Sequence, residues 1–186
     1  LRFDIAKFNS WISKIIMENK SKALYDYLIT HSDEIIEDWY SLMPKSTEAD
    51  YSLNGSIHTI NALKKQFKEY LLLIANSLFQ SEEERDYIIK ERTLSIAEVR
   101  LESGTPLSNS INAAGLLRRV IWKYTQKFID ITSLGITFRD IFFWEEKFNS
   151  TIDQLTHSYT ENYTNILLKR IHSQSNLINE LSSPVI

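Results

Sequence analysis

Cysteine is missing from these 186 residues. That excludes disulfides, thiolate metal sites and thiol nucleophiles. Glycine and proline are scarce, at four and three residues. An all-β fold needs such turn residues every ~8–12 positions, so the scarcity points to long helices. Neither sign of charge dominates. The 21 Lys and Arg against 24 Asp and Glu leave a net −3, which argues against a nucleic-acid-binding domain. Long apolar runs are absent too. The longest, Tyr70 to Ala75, stops at Asn76, well short of the ~18 residues a membrane span requires. The start of the chain lacks the continuous apolar core of a signal peptide. We therefore expect a cytoplasmic chain with no membrane or nucleic-acid partner.

What is present is ordinary for a globular protein: 43% hydrophobic and 24% charged residues. The length suits one domain, or one domain with a tail. An opening at Leu1 and an apolar close at Ile186 suggest a piece of something longer.

Helical periodicity runs through most of the chain. A first stretch over about 4–17 carries Phe8, Ile12 and Ile15, widened by Ile5 and Trp11. A second covers about 21–43, with a break near Ser32. There Ser32, Asp33 and Glu34 read as an N-cap with first-turn acids, and Pro44 marks the stop. Residues 44–54 read as a polar loop. The third helix, about 55–79, keeps a 3-4 rhythm from Ile57 to Leu78. The fourth opens with a capping box, Ser81 and Glu84. Its two apolar rows, Tyr87, Leu94, Ala97, Leu101 and Ile89, Ile96, Val99, predict a central helix. Gly104 reads as its C′ residue. Pro106 is expected at N1 of the fifth helix, whose face runs from Leu107 to Ile131. Ala113-Ala114-Gly115 predicts a close helix crossing, because glycine inside a helix costs about 1 kcal/mol. Gly135 ends this stretch, and Thr137 caps the next.

The last helix carries the most information. From Phe138 to Leu181 there is neither glycine nor proline over 44 residues. That is ~66 Å of helix, against an average of about 11–12 residues. Its first half has the stripe Phe138, Ile141, Phe148, Ile152, Leu155 and Tyr159. Beyond it, Leu167, Ile171, Gln174, Ile178 and Leu181 follow a 4-3-4-3 heptad seam with Gln174 as its polar break. The register passes from one stripe to the other around Tyr163 and Ile166, which we expect to be a coupling zone. The chain thus reads as all-α: a six-helix body whose last helix leaves as a linker, seamed for a parallel homodimer.

Three motifs resemble a known family. The end of the chain, Gln174-Ser175-Asn176-Leu177-Ile178-Asn179-Glu180-Leu181-Ser182-Ser183-Pro184-Val185-Ile186, resembles the helix that enters the STAS domain of RsbR-type RsbT co-antagonists. Ser95-Ile96-Ala97-Glu98 through Gly104-Thr105-Pro106-Leu107-Ser108 to Leu117-Arg118-Arg119-Val120-Ile121-Trp122 is similar to their N-terminal domain. So is Glu34-Ile35-Ile36-Glu37-Asp38-Trp39. The resemblance implies a globin-like helical domain without haem over 1–160. It implies a coiled-coil linker over 161–182 and the start of a STAS domain at 183–186. It also implies a non-catalytic role in a stressosome, with STAS-domain proteins and an RsbT-type switch kinase as partners of the full-length protein. The family's phosphorylatable threonines lie in the STAS domain, so none here inherits that role.

No constellation carries catalysis. The glycines form neither a dinucleotide fingerprint nor a P-loop, and Gly-x-Ser-x-Gly is absent. Glu145-Glu146 and the acids at 82–84 read as solvated helix faces, and Arg118-Arg119 as a surface pair. His31, His58, His157 and His172 show no metal-ligand spacing. Surface or locally hydrogen-bonded histidines are the expectation, and ligation of a haem or occupancy by a small ligand is the alternative. No cofactor is expected. Phe142-Phe143-Trp144 cannot all share one helix face, since successive residues point about 100° apart. With Phe142 placed in the core stripe, Phe143 or Trp144 becomes an interface candidate.

Overall fold

The computed structural model describes residues 5–43 and 57–182. Among them are six helices and no strand. In order they are α1 (Ile5–Thr30), α2 (Ser32–Ser41), α3 (Ile57–Asn76), α4 (Glu82–Glu102), α5 (Leu107–Ile131) and α6 (Phe138–Ser182). The protein is all-α, as its composition requires. The expected loop over 44–54, with Pro44, lies outside the described residues.

The first two expected stretches divide differently. Helix α1 continues through Lys20 and Ser21 to Thr30, and the break comes at His31. His31 takes the N-cap position without a side-chain cap, and Ser32 is already helical. The His31 ring is engaged elsewhere: its Nδ1–H donates to the Tyr27 carbonyl at 2.8 Å.

The core is made by the C-terminal half of α1 with α2, α3, α5 and the first half of α6. Leu24, Leu28, Ile35 and Trp39 are fully buried there with Leu71, Ile121, Trp144 and Phe148. At its centre Trp39 stacks on Phe67, centroids 3.8 Å apart, and its indole Nε1–H donates to the Ala113 carbonyl at 2.9 Å. Ala113 is buried to make room for that indole. Gly115 is not at a crossing: it is exposed, and a Cβ there would meet nothing within 4 Å. Of the small-residue patch, Ala113 is buried and Ala114 half-buried.

Helix α5 runs antiparallel to α6. Ser110 meets Tyr159, Arg118 meets Asp153, and Trp122 packs edge-on against Phe148. Where α6 begins, Thr137 and Asp140 cap each other reciprocally. Thr137 N–H donates to Asp140 Oδ2 at 2.8 Å, and the Asp140 N–H returns to Thr137 Oγ1 at 3.4 Å. Lys20 of α1 reaches the same carboxylate.

Helix α4 begins with the expected capping box at Ser81 and Glu84. It ends before Gly104 at φ +72°, a backbone that glycine accepts readily. It is not central, however. Tyr87, Leu94 and Val99 are exposed, and the residues it buries are Arg85, Ile89, Thr93, Ala97 and Arg100. Pro106 sits one position earlier than expected, as the N-cap of α5.

Candidate functional site

The last helix changes character along its 45 residues. Asp140, Trp144, Phe148, Thr151, Ile152, Leu155 and Tyr159 are buried against the body. Trp144 is wholly enclosed, and its indole donates to Ser21 Oγ at 3.0 Å. It therefore offers no interface, which corrects the expectation made for it. Phe143 is partly buried against the core. The outward aromatics are Phe138, 79% exposed, and Phe142, 64% exposed. The expected stripe holds at Phe148, Ile152, Leu155 and Tyr159 and departs at the first turn, where Asp140 and Trp144 are buried and Phe138 is not.

Burial fades at a definite place. Tyr163 is half-buried, and its hydroxyl donates to the Thr105 carbonyl at 3.0 Å. Ile166 is the last half-buried residue of the helix. From Leu167 onward every described side chain is exposed: Leu167 and Ile171, Gln174 between them and the tip, then Ile178 and Leu181 at 62% and 79%. The helix therefore presents a series of large apolar side chains that the body does not cover.

Beside this helix lies α4, parallel to it. The partners advance together. Arg85 donates to Gln154 Oε1 at 2.7 Å and to Ser150 Oγ at 3.3 Å. Further up, Thr93 Oγ1 lies 2.8 Å from Ser158 Oγ and accepts from Asn162 at 3.1 Å. Higher still, Arg170 pairs with Glu102 at 3.6 Å. This joint is polar for most of its length, with Ile89 and Ala97 its buried apolar members.

The remaining candidates are scattered. Arg118 pairs with Asp153 across α5 and α6, while Arg119 is exposed. Glu145 and Glu146 are exposed. His157 and His172 are exposed on α6, and His58 lies in the first turn of α3. A cavity of about 40 Å³ opens between α3, α4, α5 and α6. At ~10–15 Å³ per water it has room for roughly three, and neither His31, His157 nor His172 lines it. Among the described residues no group of three His, Asp or Glu could hold a metal ion. No described helix is long and apolar enough to cross a membrane. The buried ionic groups Lys20, Arg85, Arg100 and Asp140 leave no mark on the sequence pattern, because apolar periodicity counts only apolar letters.

Electrostatics at α2 and α5 are ordered around one carboxylate. Lys123 Nζ lies 2.7 Å from Asp38 Oδ2, and Tyr124 Oη donates to the same oxygen at 3.1 Å. The hydrogen bond from Lys123 holds the Asp38 carboxyl below its ordinary value. Burial, with the bond to Asp38, pushes Tyr124 up to about 12.

Curated proteins resemble this chain in sequence. RsbT co-antagonist protein RsbRD of Bacillus subtilis is 23% identical over 163 residues, 88% of this chain and 58% of that protein. RsbT co-antagonist protein RsbRC of the same organism is 23% identical over 171 residues, 90% of this chain and 59% of that protein. The chain is similar to RsbR-type co-antagonists. It spans about three-fifths of the relatives it matches, and the two matches support an RsbR-like N-terminal domain. No protein-family model matches, and no solved structure does.

Proposed function

We propose that this chain is the non-catalytic signal-input and dimerisation domain of a stressosome protein that controls release of an RsbT-type kinase. The match over about nine-tenths of the chain to two RsbT co-antagonists carries this reading. In it, residues 1–160 form a globin-like sensory body without haem, 161–182 the linker, and 183–186 the start of a STAS domain. Two copies lie in parallel, with Leu167, Ile171, Gln174, Ile178 and Leu181 as the seam and Phe143 near the body's own interface. Tyr163 and Ile166 couple body to linker. The full-length protein works in the cytoplasm with other STAS-domain proteins.

The exposure of the seam residues supports the dimer, since apolar side chains in heptad spacing are stabilised by pairing. A soluble reporter of kinase release tests the whole reading. Removing residues 1–160 from the full-length protein should abolish the response to stress while leaving the kinase and its other partners intact. Unaltered regulation by the shortened protein would refute it. A haem-replete preparation of this chain should lack a Soret band. A strong one would favour the ligand-sensing alternative.

A further inference from the structure

Helix α1 carries two rows of side chains on opposite sides. One row faces the body. Met17 borders the same groove as Phe79 and Phe143, Ser21 takes the Trp144 indole, and Leu24 and Leu28 are fully buried. The other row is Ile5, Phe8, Ile12, Ile15 and Asn19, spaced 3-4-3-4. At ~100° per residue it lies roughly 150° round the helix from the first. It turns polar at Lys22 and Asp26, which bond to each other. Before Lys20 no described side chain of α1 is buried, and Trp11 and Ile16 are 59% and 48% exposed. The second row is therefore apolar only where α1 lies outside the core.

We propose that a second copy of this chain covers that row, the two α1 arms lying parallel and in register. The spacing is a heptad seam with Ile5, Ile12 and Asn19 at a, and Phe8 and Ile15 at d. Isoleucine at a suits a two-stranded pair, and an Asn at one a position fixes its register. Trp11 falls at g and Ile16 at e of the next heptad. Those two positions meet across the seam when the strands are parallel. The two most exposed apolar side chains of the arm thus cover each other. Trp11, Ile12, Ile15 and Ile16 from two arms remove roughly 700 Å² from water. That is under the ~1,000 Å² of a stable interface, so the arms associate weakly in dilute solution and pair where copies are held close.

The contact lies outside the proposed function. Ile171 comes about seven and a half turns after Trp144 along α6. The linker seam therefore faces away from the side on which Ser21 meets Trp144. A pair joined at the linker carries its arms on its outer flanks, where they link it to a further pair.

The chain has no cysteine, so one introduced thiol reports alone. Asn19→Cys and Ser13→Cys both stand at exposed positions, the first in the row and the second off it. Under mild copper-catalysed oxidation of the 186-residue chain, Asn19→Cys should form an interchain disulfide at least ~10-fold faster than Ser13→Cys. Adding Trp11→Asp and Ile16→Asp should bring its rate down to that of Ser13→Cys, with helical content unchanged by circular dichroism. If those aspartates cost helix, the comparison of Asn19→Cys with Ser13→Cys decides by itself. Adding Ile171→Asp and Ile178→Asp instead should leave the rate advantage in place, which separates the arms from the linker seam. Equal rates at positions 13 and 19 would overturn the proposal. So would a rate advantage that survives Trp11→Asp with Ile16→Asp in a folded chain.

Discussion

Lys20 Nζ lies 2.8 Å from Asp140 Oδ2, joining α1 to the head of α6 across 120 residues of sequence. The same ammonium donates to the Gly135 carbonyl at 2.9 Å. Burial raises the Asp140 carboxyl, but the hydrogen bonds from Lys20 and Thr137 outweigh it and hold the group below its ordinary value. A carboxyl lowered in the folded state contributes stability above its unfolded pKa and loses it as pH falls through the folded one. The wild type should therefore lose stability on acidification below about pH 4. In Asp140→Asn that part of the loss should vanish, as read by urea midpoints from about pH 7 to pH 3. Lys20→Met leaves the buried carboxylate without its cation and should cost about 3–5 kcal/mol at neutral pH.

Gly115 sits inside α5 in open space, where an alanine methyl would meet nothing within 4 Å beyond its chain neighbours and the helix's own backbone. Gly115→Ala should raise stability by up to about 1 kcal/mol through helix propensity alone. A drop in the thermal midpoint would mean that the position is covered in the assembled protein.

Trp39→Ala removes both the stack on Phe67 and the indole bond to Ala113. A loss of about 3–5 kcal/mol in chemical denaturation is expected. Trp39→Phe keeps much of the volume and forfeits the hydrogen bond, so its cost should be clearly smaller.

The seam makes its own prediction. Ile171→Asp with Ile178→Asp should convert a dimer to a monomer in sedimentation experiments, with the helical signal of the body unchanged. A dimer that persists would assign the contact to the body, where Phe138 and Phe142 are among the exposed aromatics.

If Tyr163 and Ile166 couple body to linker, the phase of α6 matters more than its length. Two residues inserted after Thr164 turn everything downstream by about 200°. In the full-length protein this should mis-set kinase release. Seven residues roughly restore the phase and should largely spare it. Normal regulation by both insertions would make the helix a tether.

The sequence made the helices legible because their signals are local. The Ser81–Glu84 box, Gly104 and the long run without glycine or proline after Thr137 each act within a few residues. The phase of a helix against its neighbours was less legible. In α6 the buried row begins Asp140, Trp144, Phe148, and its first member is charged. Apolar letters alone favoured Phe138 instead. What sets the phase is long-range: Lys20 supplies a cation for Asp140, and Ser21 an oxygen for the Trp144 indole. The same holds for α4. Arg85 and Thr93 are buried because Gln154 and Ser158 wait opposite, so its most apolar positions are left facing outward. For the candidate site, the heptad spacing after Tyr159 was visible early. The cavity was not, since it forms only where four helices meet.

The polar joint between α4 and α6 has a thermodynamic signature. Denaturant sensitivity scales with the surface an opening exposes, and heat capacity rises mainly with its apolar part. Lifting α4 would free guanidinium, amide and hydroxyl groups, which water can satisfy in turn, along with apolar surface at Ile89 and Ala97. Hydrogen exchange in α4 should then show a shallow dependence on urea and a nearly straight dependence on temperature. Exchange in α5, which lies over Trp39 and Phe148, should follow the steep, curved dependence of global unfolding. A helix with a part-polar joint detaches at a smaller hydrophobic penalty than a core helix and so responds to smaller binding energies.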